Sequence, residues 1–291
     1  MNKIYILERF LEYLNSTERA ASTISSYASD LYLFAKWFDE TNHEIVSAIK
    51  ITPTDLRKYK KYLIELPMKP NTINRKLGVI KSFVKWLWET DKLKQRFPLP
   101  KLVKQVIVAP KWLDKNQQHQ MLRHLEKYSQ ERDVAIIKLL LNTGIRVHEL
   151  HKLQWRDVKV SDRAGSIAIK YSKADKYRDV PLNKDSRSAL TLLGFKNNPK
   201  KEAFVIQGQR GALSIRGIQK VLQRQLEYTP FDKVSPHVLR HTFCKNLVDA
   251  GVSLEKVAML AGHDSLDTTR LYCQPSFNDL VESVNRIGEE D

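Results

Sequence analysis

The chain has 291 residues, which is enough for one large or two modest domains, each with its own hydrophobic core. A formal net charge of +16 and a pI near 9.7 are typical of nucleic-acid-binding proteins, although a basic surface without a partner gives the same composition. The absence of a long apolar run, of a signal-peptide pattern and of a disulfide framework argues against a membrane-spanning or secreted protein and predicts a cytoplasmic one without a membrane partner.

Residues 1–93 predict a domain of four amphipathic helices. Apolar side chains recur every three or four residues in this region, as they do on the buried face of a helix. Thr52 and Pro53 form a helix start with Asp55 at the capping-box position, and Asn71 is a candidate cap for the fourth helix. The sequence shows no internal repeat and no low-complexity tract here.

The fourth predicted helix carries a basic face opposite its apolar stripe. The basic residues of this face are Arg75, Lys76, Lys81 and Lys85. They form either a solvated helix surface or a set of DNA phosphate contacts, and in the second case Thr72, Asn74 and Arg75 would lie near bases. The helical pattern alone fits both interpretations.

Residues 94–110 interrupt the helical pattern. Pro98, Pro100 and Pro110 break any helix, and basic residues are interspersed among them. We therefore predict an extended basic linker, with the domain boundary near residue 105 and a second domain over residues 111–291.

The second domain is predicted to be helical with a small antiparallel sheet. Residues 132–142 are strongly apolar, which indicates a buried helix, and they are followed by TGIRVHEL, which contains Arg146 and Glu149. The predicted strands are 158–160, 167–169 and 180–182, with a hairpin turn at 171–176. The predicted helices that follow are 183–193, 214–226 and a tail helix at 278–291. A tail helix this short needs a surface to dock on.

The stretch 234–274 contains the residues with the clearest chemistry. His237 and Arg240 are three residues apart, so they share a face of a predicted helix. A second short helix ends in the sequence LAGH, whose histidine is His263, and Tyr272 follows nine residues later. An arginine, imidazoles and one tyrosine in this order suggest a phosphoryl group that is held by cations and attacked by a phenol.

The pattern HxxR, then LAGH, then a tyrosine resembles the C-terminal signature of the tyrosine recombinases, the phage integrase family. The family's first catalytic arginine lies in a TG-x-R-x-x-EL context, whose matching residues here are Thr143, Gly144, Arg146, Glu149 and Leu150.

The family places a catalytic lysine on a hairpin, in a string similar to SKADKYRDVPL, although Ser172 and Ala174 stand where the family has glycines. Lys173 takes the position of that lysine, and Lys170 and Lys176 are competing candidates.

The resemblance implies a mainly α fold with a small antiparallel β-sheet. Its parts would be an N-terminal four-helix, SAM-like core-binding domain and an α+β catalytic domain, which the linker joins into a C-shaped clamp around duplex DNA. Residues 72–83, TINRKLGVIKSF, are similar to a stretch of the family's first domain, which favours DNA contacts by the fourth helix. The tail helix packs either on its own domain or, as the resemblance implies, on a neighbouring protomer.

Chemistry and resemblance together assign roles to the cationic residues. Arg146 and Arg240 would hold the non-bridging oxygens of the scissile phosphate, because a guanidinium is planar and stays protonated. His263 would add a hydrogen bond to the same oxygens. Glu149 would orient Arg146 or His237.

The remaining roles concern proton transfer and attack. Tyr272 would be the nucleophile, His237 the base that takes its proton, and Lys173 the acid that protonates the 5′-oxygen leaving group. The product would be a 3′-phosphotyrosyl link, which conserves the energy of the broken bond. We therefore expect no ATP, metal or other cofactor. The spacing of His148 and His151 also differs from that of the zinc motif HExxH.

These roles predict a site-specific DNA recombinase, Xer-like or transposon-type, acting in DNA integration or in resolution of a mobile element or replicon dimer. Its partners would be a double-stranded DNA recombination site and further copies of the chain, as a dimer on each site and a tetrameric synapse. Two alternatives remain open from the sequence: a type IB topoisomerase that relaxes DNA, and a DNA-binding protein without catalysis.

Overall fold

The computed structural model describes residues 5–17, 19, 21–46, 50–104, 110–170, 177–197, 199–209, 211–227, 229–263, 265–273, 281 and 284–285. The chain divides into two units, Met1–Ile107 and Val108–Asp291. The point of division lies within the predicted linker, and the domain limits given above stay a prediction. The predicted tail helix lies outside the described residues, except for positions 281, 284 and 285.

The first unit consists of helices whose apolar faces meet in one core. These helices are α1 (Tyr5–Ser16), α2 (Ala21–Asn42), α3 (Pro53–Glu65) and α4 (Pro70–Glu89). Phe10 packs on Phe83 with ring centroids 5.3 Å apart, which joins α1 to α4, and Phe34 packs on Tyr59 at 4.9 Å, which joins α2 to α3. Aromatic side chains therefore supply much of the apolar area that this unit buries.

Capping explains where α3 and α4 begin. The Thr52 hydroxyl accepts the Asp55 backbone N–H at 3.2 Å, and Asp55 Oδ2 accepts the Thr52 N–H at 2.9 Å, which is the predicted capping box. The prediction that Asn71 caps α4 is wrong. The helix begins at Pro70, two residues before the start that an Asn71 cap implies, because the fixed φ of proline suits the first helical position.

The second unit packs helices around one apolar helix and a small sheet. Its helices are α5 (Lys115–Tyr128), α6 (Glu131–Thr143), α7 (Val147–Lys152), α8 (Lys184–Leu192), α9 (Ile215–Leu226), α10 (Pro236–Asp249), α11 (Leu254–Ala261) and α12 (Leu266–Arg270). The central helix is α6, in which Ile136, Ile137 and Leu140 are fully buried. Helices α5, α8, α9 and α10 pack around it, as expected for a helix that is apolar on nearly all sides.

The sheet of the second unit is antiparallel. Its strands are β1 (Val158–Val160), β2 (Gly165–Lys170) and β3 (Tyr177–Pro181), in that order. Ile167 pairs with Val158 on one side and Val180 on the other, and all three are buried. Because side chains alternate along a strand, Arg178 lies on the same buried face as Val180. The predicted turn at 171–176 lies outside the described residues.

A second, smaller ribbon pairs β4 (Gln207–Gly208) with β5 (Gly211–Ala212), which the sequence did not predict, because two residues carry no periodicity. Helices thus dominate both units, with a small antiparallel sheet in the second, and this confirms the predicted fold class.

Within the ranges described above, no helix has both the length and the apolar character needed to cross a membrane.

Candidate active site

The turn between α6 and α7 positions the first arginine. Gly144 ends α6 in the left-handed region, with φ of +61°, and the chain then turns so that Arg146 precedes α7. The Arg146 backbone N–H donates to Glu149 Oε2 at 2.7 Å, and its guanidinium donates to Glu149 Oε1 at 3.2 Å and to the Gly262 carbonyl oxygen at 2.5 Å. Arg146 is therefore held between α7 and the C-terminal end of α11.

The second arginine reaches the same turn from α10. Arg240 is 5% exposed, and its Nη1 donates to the Gly144 carbonyl oxygen at 2.6 Å. Burial lowers the pKa of Arg240, and the charge of Arg146 lowers it further, because the two guanidiniums lie close together. Two guanidiniums therefore converge on this turn, and the planar fork of a guanidinium matches the oxygens of an anion.

The end of α11 positions His263. Gly262 caps the helix in the left-handed region, and the next residue, His263, is partly buried with its Nδ1 2.9 Å from the Thr269 hydroxyl. Burial lowers the pKa of His263 to about 4, and the charges of Arg240 and Arg146 contribute, so the ring is neutral at pH 7. If Nδ1 accepts from Thr269, then Nε2 carries the proton and can donate to a phosphate oxygen.

Tyr272 lies in a 3₁₀ turn, Leu271–Cys273, that follows α12. Its side chain is 1% exposed, and its ring stacks on His263 with centroids 6.1 Å apart. Burial raises the pKa of the Tyr272 phenol and Cys244 raises it further, whereas the charge of Arg240 lowers it. The tyrosine is thus within electrostatic reach of Arg240, but it is protonated and shielded from solvent.

The imidazole that contacts the Tyr272 hydroxyl belongs to His241, at 2.7 Å from Nδ1. The base proposed from the sequence, His237, lies exposed on the first turn of α10, one helical turn away. Burial lowers the pKa of His241 to about 4, with further contributions from His237 and Arg240, so this ring is neutral. Sequence reasoning missed His241, although its spacing of four residues from His237 puts both rings on one helix face.

A third arginine, Arg178 on β3, also belongs to this site and was not predicted. It is 5% exposed, and its guanidinium donates to both carboxylate oxygens of Glu149, at 3.0 and 2.8 Å. The signal that could have found it is alternation. In the string RDVPL, Arg178 falls on the same face as the apolar Val180, and a charge on a buried face needs a partner.

The lysine candidates are described only in part. Lys173 and Lys176 lie outside the described residues, so the proposed acid stays a prediction. Lys170 ends β2 with a side chain that is mostly exposed, and its Nζ lies 3.2 Å from Asp157 Oδ1.

In the first unit, the structure separates the six predicted DNA-contacting residues into two groups. Asn74 is buried, and its side-chain amide bonds the backbone N–H and C=O of Val103 at 2.7 and 2.9 Å. Arg75 and Lys76 pair with the buried carboxylate of Asp30, with Lys76 Nζ 2.7 Å from Oδ1.

The contacts to Asp30 join α2 to α4, and the contact to Val103 joins α4 to the segment that follows it. We therefore leave Asn74 and Lys76 out of the proposed DNA-contacting face, because both side chains are buried and already bonded to protein partners. Lys85 is exposed, Arg75 keeps about half of its side chain exposed, and Thr72 and Lys81 are partly exposed.

The chain matches two family descriptions. Residues 111–279 match the Phage integrase family, and residues 7–90 match the phage integrase N-terminal SAM-like domain. The first match alone covers more than half of the chain. The chain therefore belongs to the phage integrase family, that of the tyrosine recombinases, and the resemblance drawn from the sequence is confirmed.

Named relatives align along nearly the whole chain. Tyrosine recombinase XerC of Oceanobacillus iheyensis is 30% identical, over 97% of this chain and 96% of its own. Tyrosine recombinase XerC of Corynebacterium glutamicum is 29% identical, over 97% of this chain and 91% of its own.

Among solved structures, the XerH site-specific recombinase bound to palindromic difH substrate, in a post-cleavage complex, superimposes with a TM-score of 0.75. Its sequence identity is 21%, and the match covers 91% of this chain and 80% of that chain, so this likeness is one of fold.

Proposed function

We propose that this chain recombines DNA at specific sites by cleaving and rejoining strands through a 3′-phosphotyrosyl link to Tyr272. The observation that carries the proposal is the convergence of Arg146, Arg240, His263 and Tyr272 from distant segments of the sequence. Membership of the phage integrase family and relatives named tyrosine recombinase support the same function.

The arginine pair would bind the scissile phosphate. Arg146 and Arg240 both reach the Gly144 turn, where their two charges offset the negative charge that grows on the non-bridging oxygens during attack. His263 would donate a hydrogen bond to the same oxygens. These donors are preorganised. Hydrogen bonds to the backbone and to neighbouring side chains hold them in place before negative charge develops on the phosphate.

The covalent step exchanges one phosphate ester for another. The Tyr272 oxygen bonds to phosphorus, the bond to the 5′-oxygen breaks, and the phenol proton passes to a base. We assign that base to His237, whose exposed ring is accessible from the solvent side of α10. Lys173 would give a proton to the 5′-oxygen. Attack by a 5′-hydroxyl then reverses these bonds on a new partner strand, without hydrolysis.

The proposed partner is a double-stranded DNA recombination site, bound by copies of this chain as a dimer on each site and a tetramer in the synapse. The solved XerH structure contains the DNA substrate difH, and the net charge of +16 suits a phosphate backbone. The biological process would be integration, or resolution of a mobile element or replicon dimer, in the cytoplasm.

The two alternatives from the sequence are less well supported. The named relatives that match nearly the full chain are recombinases, and the first unit matches the SAM-like domain of phage integrases, so DNA relaxation by a type IB topoisomerase is not favoured. A DNA-binding protein without catalysis would leave the buried arginine, histidine and tyrosine cluster without a role.

The test of this proposal is Tyr272→Phe. The recombination site is first found by sequencing host DNA fragments that wild-type protein traps covalently, and it is then rebuilt as a nicked duplex. On that duplex the variant should bind with wild-type affinity but lose adduct formation by more than about 1000-fold, because the nucleophilic oxygen is gone.

A denaturing gel measures the adduct. The matched control is Tyr128→Phe, which removes the hydroxyl of an exposed tyrosine and should leave the adduct unchanged. An adduct that persists in Tyr272→Phe would remove this residue from the mechanism.

A further inference from the structure

Arg178 joins its own strand to two other segments of the second unit, α7 and α11. Its own position is on β3, directly after Tyr177 and the segment 171–176 that contains Lys173. Its guanidinium binds both carboxylate oxygens of Glu149 in α7, and its Nε donates to the Leu260 carbonyl oxygen in α11 at 3.0 Å. One buried side chain therefore connects the strand after the lysine candidate to the helices that carry Glu149 and lead to His263.

The carboxylate that Arg178 binds is also the partner of Arg146. Glu149 accepts from the Arg146 backbone and guanidinium, so its negative charge lies beside a group that must attract phosphate. Burial is the largest single influence on the pKa of Glu149 and raises it. The hydrogen bonds and charges of Arg178 and then Arg146 together outweigh burial, so the pKa is lowered. Glu149 is thus an ionised, buried carboxylate between two guanidiniums.

A buried carboxylate with Arg146 as its sole cationic partner would offset the charge of that arginine. A second cation on the same carboxylate balances its charge, and Arg146 then keeps charge available for an anion. The bidentate geometry of Arg178 also fixes the plane of the Glu149 carboxylate, which in turn orients the Arg146 fork.

We propose that Arg178 is a positioning residue for strand cleavage: it holds and neutralises Glu149, so that Arg146 presents its full charge to the scissile phosphate. It does so without contact to the DNA. The inference rests on the proposed function, since it assumes that Arg146 binds a phosphate that Tyr272 attacks.

The experiment compares Arg178→Gln, Arg178→Lys and the double variant Arg178→Gln/Glu149→Gln on the nicked duplex. Arg178→Gln should lower the rate of adduct formation by about tenfold or more, which corresponds to about 1.4 kcal/mol of transition-state stabilisation. Its affinity for the site should change much less, because most binding energy comes from phosphate contacts elsewhere. The rate of adduct formation by Arg178→Lys should lie between those of the wild type and Arg178→Gln, since lysine supplies the charge without the bidentate fork.

The double variant separates positioning from simple loss of structure. Removing the Glu149 charge together with Arg178 should recover part of the lost cleavage rate, because no unbalanced carboxylate then faces Arg146. Thermal unfolding of each variant is measured alongside, and Arg178→Lys serves in place of Arg178→Gln if the latter does not fold.

The proposal is overturned if the single variants cleave at the wild-type rate, or if binding and cleavage fall together and the double variant recovers nothing. If the wild-type chain forms no adduct at all, it is the proposed function that fails, and the outcome does not depend on Arg178.

Discussion

Among single residues, the proposed nucleophile Tyr272 is buried in this structure. Its side chain is 1% exposed, and its hydroxyl lies 2.7 Å from His241 Nδ1. A phosphodiester in duplex DNA cannot reach a phenol that is this buried, so the proposed attack by Tyr272 requires the turn Leu271–Cys273 to move first. The hydrogen bond to His241 and the stacking on His263 oppose that movement.

The two histidines of α10 should therefore have opposite effects on cleavage. His241→Ala removes a hydrogen bond whose net worth is about 0.5–1.5 kcal/mol, so the exposed position of Tyr272 gains population and adduct formation becomes up to about tenfold faster. His237→Ala removes the proposed base and should slow the same step by about 100-fold or more.

Single-turnover adduct formation on the nicked duplex measures both variants, and each is the control for the other because they lie one turn apart on one helix. If His241→Ala is slowed as much as His237→Ala, then His241 acts in the chemistry and does not restrain the tyrosine.

At the scale of elements, the end of α6 determines where Arg146 and Arg240 meet. Gly144 has a φ of +61°, and a Cβ at this position would lie 2.2 Å from Cδ1 of Phe243, a ring on α10. The Gly144 carbonyl oxygen also accepts the hydrogen bond from Arg240. A side chain here would push α10 away from the turn, and Arg240 would move with it.

Gly144→Ala should consequently impair both stability and cleavage. The left-handed conformation alone costs a non-glycine residue about 1–2 kcal/mol, and the contact with Phe243 adds to that cost. Gly251→Ala is the matched control, because Gly251 also has a positive φ, +76°, but a Cβ there has open space around it.

Chemical unfolding and adduct formation are measured for both glycine variants. Gly251→Ala should lose stability while keeping its cleavage rate when folded, and Gly144→Ala should lose more of both. Equal losses in the two variants would show that backbone strain alone accounts for the effect.

At the scale of the whole molecule, the basic charge is not distributed as the sequence implied. Two of the cations on α4 form ion pairs with a buried carboxylate: Arg75 and Lys76 both bind Asp30, which is 1% exposed. This ion pair joins α2 to α4 inside the first unit. Lys85, on the same helix, is exposed and free of such a role among the described contacts.

Lys85→Ala and Lys76→Ala should therefore separate binding from stability. If Lys85 contacts a phosphate, its removal lowers the slope of log affinity against log salt concentration by about 1 and leaves the unfolding temperature unchanged. Lys76→Ala leaves the buried Asp30 with one cation fewer, so it should lower the unfolding temperature and leave the slope nearly unchanged. A reduced slope in Lys76→Ala would place that lysine on the DNA after all.

Several features of this recombinase follow from its sequence alone. Helical periodicity predicted the helices of the first unit, the apolar run predicted a buried α6, and the alternating segments predicted the strands of the sheet. The motifs around Arg146, Arg240, His263 and Tyr272 were sufficient to indicate the family, because each spacing is local and needs no knowledge of the fold.

Only the tertiary structure decided which side chains became partners. Arg178 binds Glu149 across 29 residues of sequence, His241 meets Tyr272 across 31, and Arg75 pairs with Asp30 across 45. Spacing along a helix or strand predicts which face a residue lies on, but burial and partnership depend on which segment packs against that face. A charge on a helix surface and a charge that closes a buried ion pair therefore look identical until the chain is folded.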